Sequence, residues 1–245
     1  MKSRISYFDK TVFKKNLTRF APAWGLCTVW LVLAIVTICM YPEMAGSNLM
    51  DMGQAYCVFT FLYAPLCTQL LFGDLLYNTR MCNALHALPL KRDTWFFTNV
   101  ASGFAFFLIP TVTSALLAAL LLWLGDYPGT MAVVPLWVLT MMLHFVCFFG
   151  ISTFSAFFAG NRFAHAVVYG LINFGSIILG WMVENLYIPM YYGIQTNMDP
   201  FILFSPAARL AEEPFLFVKT RDIIEAGNYH RSIDTSTILR GENFG

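Results

Sequence analysis

No Asp, Glu, Lys or Arg interrupts the chain between Arg19 and Glu43, Asp51 and Asp74, Asp93 and Asp126, Asp126 and Arg162, or Arg162 and Glu184. Each of these five runs is at least 20 residues long, and about 20 apolar residues suffice to cross the hydrocarbon of a bilayer as a helix. In hydrocarbon the backbone has to satisfy its own polar groups, which within a single segment only a helix can do. The expected fold is therefore all-α, a polytopic membrane helical bundle, with spans near 22–42, 55–74, 97–124, 132–158 and 164–187. The fourth run is long enough to tilt strongly or to contain a break. Pro65, Pro110 and Pro135 are expected to kink their helices, which packed neighbours tolerate in a membrane. Composition agrees: 58% of residues are hydrophobic and 12% charged, against about 25% charged in soluble domains. A net charge of +1 supplies no global field for nucleic acid.

The charges outside the runs predict orientation, because Lys and Arg in short loops mark the cytoplasmic side. Lys2, Arg4, Lys10, Lys14, Lys15 and Arg19 precede span one; Arg80, Lys91 and Arg92 follow span two; Arg162 follows span four. The short loops on the other side, 43–54 and 125–131, hold Glu43, Asp51 and Asp126 and no basic residue. The expected N-terminus is cytoplasmic, and five spans then put 188–245 outside. The stretch MKSRISYFDKTVFKKNLTRF is too long and polar for a cleavable signal, so span one is read as a retained anchor.

Three regions are expected: 1–20, 21–188 and 189–245. In the first, Ile5, Phe8, Val12, Phe13, Leu17 and Phe20 share one half of a helical wheel, and Lys10, Thr11, Lys14, Lys15 and Thr18 the other. That pattern fits an amphipathic helix on an anionic membrane surface, although a basic flank that only fixes topology would carry the same charges. After Tyr187 the composition turns polar, with 12 charged residues in 189–245 against 17 in 1–188. Ser205-Pro206 reads as an N-cap and first-turn proline opening a short helix through Ala211. The six cysteines match no zinc or disulfide spacing and read as small apolar groups.

The loop after span two is longer than a reversal needs. In NALHALPLKRDTW, residues 83–95, Leu85 and Leu88 continue a stripe from Met81 at i, i+4 and i+7. Pro89 stops the turn. Lys91 and Arg92 follow, and Asp93 or Thr94 is placed to cap a helix starting at Trp95. This is a short cytoplasmic helix whose small apolar face either docks on a partner or rests on lipid.

The run FGDLLYNTRMCNALHALPLKRDTWFFTNVASGF, residues 72–104, resembles the first cytoplasmic loop and third span of type 2 ABC exporter permeases. The resemblance rests on His86-Ala87-Leu88-Pro89, on Lys91-Arg92 and on Ser102-Gly103, with the basic N-terminal helix and the span order beside them. It implies that Asn83, Leu85, His86, Leu88, Pro89, Lys91 and Arg92 form a coupling helix docking on a separate ATP-binding subunit, which would hydrolyse ATP. It also implies a second permease half, identical or related, in a bacterial cytoplasmic membrane. Such halves have six spans and five are read here, so continuation past Gly245 into a sixth span is expected.

Catalytic signatures are lacking. There is no G-x-x-x-x-G-K-[ST], no H-E-x-x-H and no G-x-S-x-G. No bound cofactor and no metal site are expected on this chain. His144 and Asn173, within spans, each read as an interhelical hydrogen-bonding group or as lining of a substrate path. Asp74 reads as an interfacial charge or a partner for Arg80, and Glu184 as a carboxylate snorkelling to the interface. The expected function is the permease half of an ATP-driven exporter; the alternatives are a membrane enzyme acting on lipid and a non-transporting anchor or sensor.

Overall fold

The computed structural model describes residues 8–39, 53–78, 82–83, 92–125, 133–191, 199–212, 220–225 and 228–233. The chain forms a helical membrane bundle. Five helical segments are long and apolar enough to cross a bilayer: Ala21–Ile38, Ala55–Tyr77, Arg92–Leu124, Val133–Phe158 and Arg162–Met190. Among the described residues the main α-helices, in chain order, are α1 (Lys10–Arg19), α2 (Ala21–Cys39), α3 (Gly53–Thr68), α4 (Asp74–Tyr77), α5 (Arg92–Leu124), α6 (Val133–Phe158), α7 (Arg162–Met182), α8 (Asp199–Leu203) and α9 (Pro206–Glu212). A π-helical turn, Gln69–Gly73, joins α3 to α4 within the second span, and another, Val183–Tyr187, extends α7.

The boundaries depart from expectation at specific places. The third span starts at Arg92, so Asp93 lies inside its first turn, where a carboxylate favours the positive end of the helix dipole, and is not a cap outside it. The fourth span is one unbroken helix from Val133 to Phe158. Pro135 falls in its first turn, where the missing N–H has no intrahelical acceptor to lose, and no kink is needed.

Pro65 and Pro110 do lie inside their helices. Each removes an N–H that would bond the carbonyl four residues back. The two freed carbonyls are those of Phe61 and Phe106, and a tyrosine from another helix donates to each. Tyr169 Oη in α7 bonds Phe61 O at 2.9 Å, and Tyr63 Oη in α3 bonds Phe106 O at 3.2 Å. The cost of two span prolines is thus met by hydroxyls that also lace spans two, three and five together.

Packing follows the large side chains. α2 lies on α5, α3 lies on α6, and α6 contacts both α5 and α7. Leu31, Ile35, Phe72, Phe106, Trp137, Phe145 and Phe148 are fully or almost fully buried between them. Phe107, Phe145 and Phe149 form a stack, with centroids 4.4 and 5.3 Å apart and near-parallel rings. Gly103 on α5 faces this stack: a Cβ there would lie 2.3 Å from the Phe149 ring. Cys27, Cys57 and Cys67 are buried, as small apolar groups would be, whereas Cys147 is exposed on the side of α6.

After the fifth span the chain returns to the bundle. Phe201 of α8 packs on Gly180, where a Cβ would come within 2.6 Å of its ring. Ser205 caps α9, accepting from Ala208 N at 3.2 Å, as its sequence signature predicts. Its hydroxyl donates to Asn173 O, eleven residues into α7 and so roughly 17 Å along the helix axis. α9 packs on α3 and α7 with Ala207 buried. Residues 199–212 are therefore part of the bundle and do more than rest on its end. Beyond them Thr220–Glu225 and Asn228–Ile233 (β1 and β2) pair as an antiparallel hairpin, with Glu225 opposite Asn228.

Candidate functional site at the basic end of the bundle

One end of the bundle collects most of the described basic residues, and it is built from α1 upward. Asp9 caps α1, its Oδ1 accepting from Thr11 N at 2.7 Å and Val12 N at 3.1 Å. Val12, Phe13, Asn16, Leu17 and Phe20 are half-buried, while Lys10, Thr11, Lys14, Lys15 and Thr18 are exposed. The expected amphipathic periodicity is present, and the inward face rests on protein. Asp9 N donates to Thr98 Oγ1 at 3.0 Å. Asn16 Nδ2 donates to Asn99 Oδ1 at 2.7 Å and to Ser102 Oγ at 3.2 Å. Ser102 and Gly103, the pair that carries part of the family resemblance, thus have separate local tasks: Ser102 receives α1, and Gly103 admits Phe149.

α1 ends at Arg19, whose Nη2 lies 2.9 Å from Asp74 Oδ2. The other carboxylate oxygen, Oδ1, accepts from Arg162 Nη2 at 2.8 Å. One carboxylate therefore ties the end of α1, the foot of span two and the start of span five. Neither arginine partner is close to Asp74 in the chain; Arg80, the partner considered from sequence, lies outside the described residues. An exposed pair contributes only about 0–1 kcal/mol, so this clamp positions helices more than it stabilises the fold.

A second polar node lies beneath the clamp. His165, fully buried, bridges spans two and four. Its Nε2 is 3.1 Å from Ser152 O. A carbonyl only accepts, so Nε2 carries the proton, and Nδ1 accepts from Gln69 Nε2 at 3.2 Å. Gln69 also donates to Arg162 O at 3.3 Å. Gln69 opens the π-helical turn, and such turns redirect side chains that a regular helix would stack away. Tyr77 Oη, at the far end of the same segment, donates to Ala156 O at 3.1 Å.

Between Phe20, Leu66, Gln69, Leu70, Asp74 and Arg162 the surface opens into a groove of about 310 Å³. Phe20, Leu66 and Leu70 make up its apolar lining, and Gln69, Asp74 and Arg162 its polar lining.

Of the residues expected to couple to a partner, Asn83 is exposed and Arg92 is exposed at the start of α5. Leu85, His86, Leu88, Pro89 and Lys91 lie outside the described residues. His144 is buried in α6 and Asn173 in α7. Asn173 Nδ2 donates to Tyr169 O, and neither residue reaches the groove. Spacing does not single out His165 and Gln69, because their partners lie on other helices. Among the described residues no group of three His, Cys, Asp or Glu is placed to hold a metal. Comparison with protein-family models, curated proteins and solved structures finds no match.

Proposed function

We propose that this chain is the permease subunit of an ATP-driven exporter of the type 2 ABC class, working with a separate ATP-binding subunit and a second permease half. The observation that carries the reading is the path from the loop to the bundle. The family resemblance spans residues 72–104, and its loop, with His86–Pro89 and Lys91-Arg92, follows directly from the segment that holds Asp74 and Tyr77. Asp74 is joined to α1 and α7, and Tyr77 to α6. A loop seated on a moving ATPase would therefore pull on several helices at once. In this reading the basic end faces the cytoplasm, in keeping with the lysine and arginine bias, and ATP-driven closure of the partner switches the spans between inward and outward access.

The test is Leu85→Asp. A charge placed in an apolar docking contact costs several kcal/mol, so the ATP-binding subunit should no longer co-purify with the permease and transport-linked ATP hydrolysis should fall. Membrane insertion should be unchanged, because the loop lies between spans. Undiminished complex formation by the variant would overturn the proposal.

A further inference from the structure

The groove at the clamp has a chemistry that the coupling reading does not use. Phe20, Leu66 and Leu70 supply its apolar lining, and Arg162 the cation in that lining. The Arg19 guanidinium lies 5.0 Å over the Phe20 ring, which places a second cation beside the same lining. Asp74 neutralises only one of these two charges. Each arginine spends one nitrogen on it, out of five N–H donors per guanidinium. The arginine side chains are 61% and 51% exposed for Arg162 and Arg19, so their remaining donors are available to a ligand. The surroundings reinforce the sign: at this end the described cations are Lys10, Lys14, Lys15, Arg19, Arg92 and Arg162, and the described carboxylates are Asp9, Asp74 and Asp93.

Depth identifies the ligand class. The groove lies where span one begins at Ala21, span five begins at Arg162 and span two ends at Tyr77, the boundary between hydrocarbon and headgroups. A soluble anion would gain nothing from the Phe20, Leu66 and Leu70 surface. An amphiphile would, and the apolar lining has a continuation. Val58, Leu62 and Leu66 lie at i, i+4 and i+8 on span two and are 55%, 61% and 47% exposed. They form an apolar track of about 12 Å leading from the groove into the hydrocarbon.

We propose that this groove is a binding site for an anionic phospholipid, with its phosphate held by Arg162 and Arg19 and an acyl chain laid along Leu66, Leu62 and Val58. The site differs from general attraction of a basic helix to a charged surface, because it requires two particular arginines, Arg19 and Arg162, beside one exposed face of span two. It does not depend on the exporter reading.

Native mass spectrometry of the full chain, released from detergent after incubation with phosphatidylglycerol or phosphatidylcholine, tests it. The wild type should retain one phosphatidylglycerol in preference to phosphatidylcholine. Arg162→Gln should weaken that retention about fivefold, the factor corresponding to one basic group at a membrane surface. Leu66→Trp, which fills the groove with the charges intact, should also weaken it. Asp74→Asn should strengthen it, by freeing both arginines, and a gain cannot come from misfolding. Equal retention of the two lipids, or an Asp74→Asn variant that binds no more tightly, would overturn the proposal. Displacement of the lipid by millimolar inorganic phosphate would also overturn it, by making the site one for soluble phosphate.

Discussion

The tyrosine that serves Pro65 offers a sharp test of how the bundle holds together. In Tyr169→Phe the ring and its packing on Phe61, at 5.0 Å between centroids, remain, and only the hydroxyl is lost. The Phe61 carbonyl then has neither the N–H that Pro65 lacks nor the Tyr169 donor. A buried acceptor left unsatisfied costs about 1–3 kcal/mol; interhelical hydrogen bonds measured in membrane proteins average lower, about 0.6 kcal/mol. A loss of roughly 1–2 kcal/mol is therefore expected, because here the carbonyl cannot fall back on its own helix. Pro65→Ala supplies that fallback, since the substituted residue has a backbone N–H that can bond Phe61 O. In the Pro65→Ala background Tyr169→Phe should cost clearly less, leaving a coupling of about 1 kcal/mol. Unfolding in mixed detergent–SDS micelles, followed by circular dichroism, gives all four corners of the cycle. Additive effects, or a Tyr169→Phe change that costs nothing beside Pro65, would refute the pairing of proline and tyrosine.

Two further outcomes follow from the packing and the loop. Gly103→Ala should destabilise by about 1–3 kcal/mol, the usual cost of overpacking, because the Phe149 ring is held by the stack of Phe145 and Phe107; thermal unfolding in detergent should show it, and Phe149→Leu should relieve it. In intact cells an impermeant maleimide should miss Cys82 and label a cysteine placed at Asp126, whereas labelling of Cys82 from outside would invert the proposed orientation.

What could be read in advance follows from how far each signal reaches along the chain. Charge-free runs are local, and all five spans are present as helices. Their ends are less local: Arg92 and Asp93 begin a helix that extends past the apolar run because a first-turn carboxylate suits its dipole. The amphipathic pattern of α1 is visible from Val12 to Phe20. Its docking is not visible, because Asn16 meets Asn99 and Ser102 more than 80 positions away. The same distance hides the clamp and the His165 node. Asp74 is an isolated carboxylate in the sequence, and its partners lie 55 and 88 positions off. The strand pair Thr220–Glu225 and Asn228–Ile233 has too few residues and too little alternation to announce itself. The return of α9 is half legible: Ser205-Pro206 marks the helix start, but nothing local says that Ser205 reaches Asn173.

The distribution of these long-range contacts bears on how the proposed exporter would move. Span two carries the loop, and polar contacts join it to spans four and five: Asp74 to Arg162, Gln69 to His165 and to the Arg162 carbonyl, Tyr77 to Ala156, and Tyr169 to the Phe61 carbonyl. Toward span three Tyr63 bonds the Phe106 carbonyl, and α5 is itself held to α1 by Asn16. None of these contacts is strong alone, since exposed ion pairs contribute about 0–1 kcal/mol and single hydrogen bonds about 0.5–2 kcal/mol. Their effect lies in geometry. A force applied to the loop after Tyr77 meets a foot pinned on two sides, so tilting span two alone would break several contacts together, whereas moving spans two, four and five as a block breaks none of those that join them. If a partner ATPase drives this chain through residues 83–92, the unit it moves is that three-span block; α1, held to α5 by Asp9 and Asn16, meets the block at Arg19, and the Asp74 carboxylate is where the pull divides.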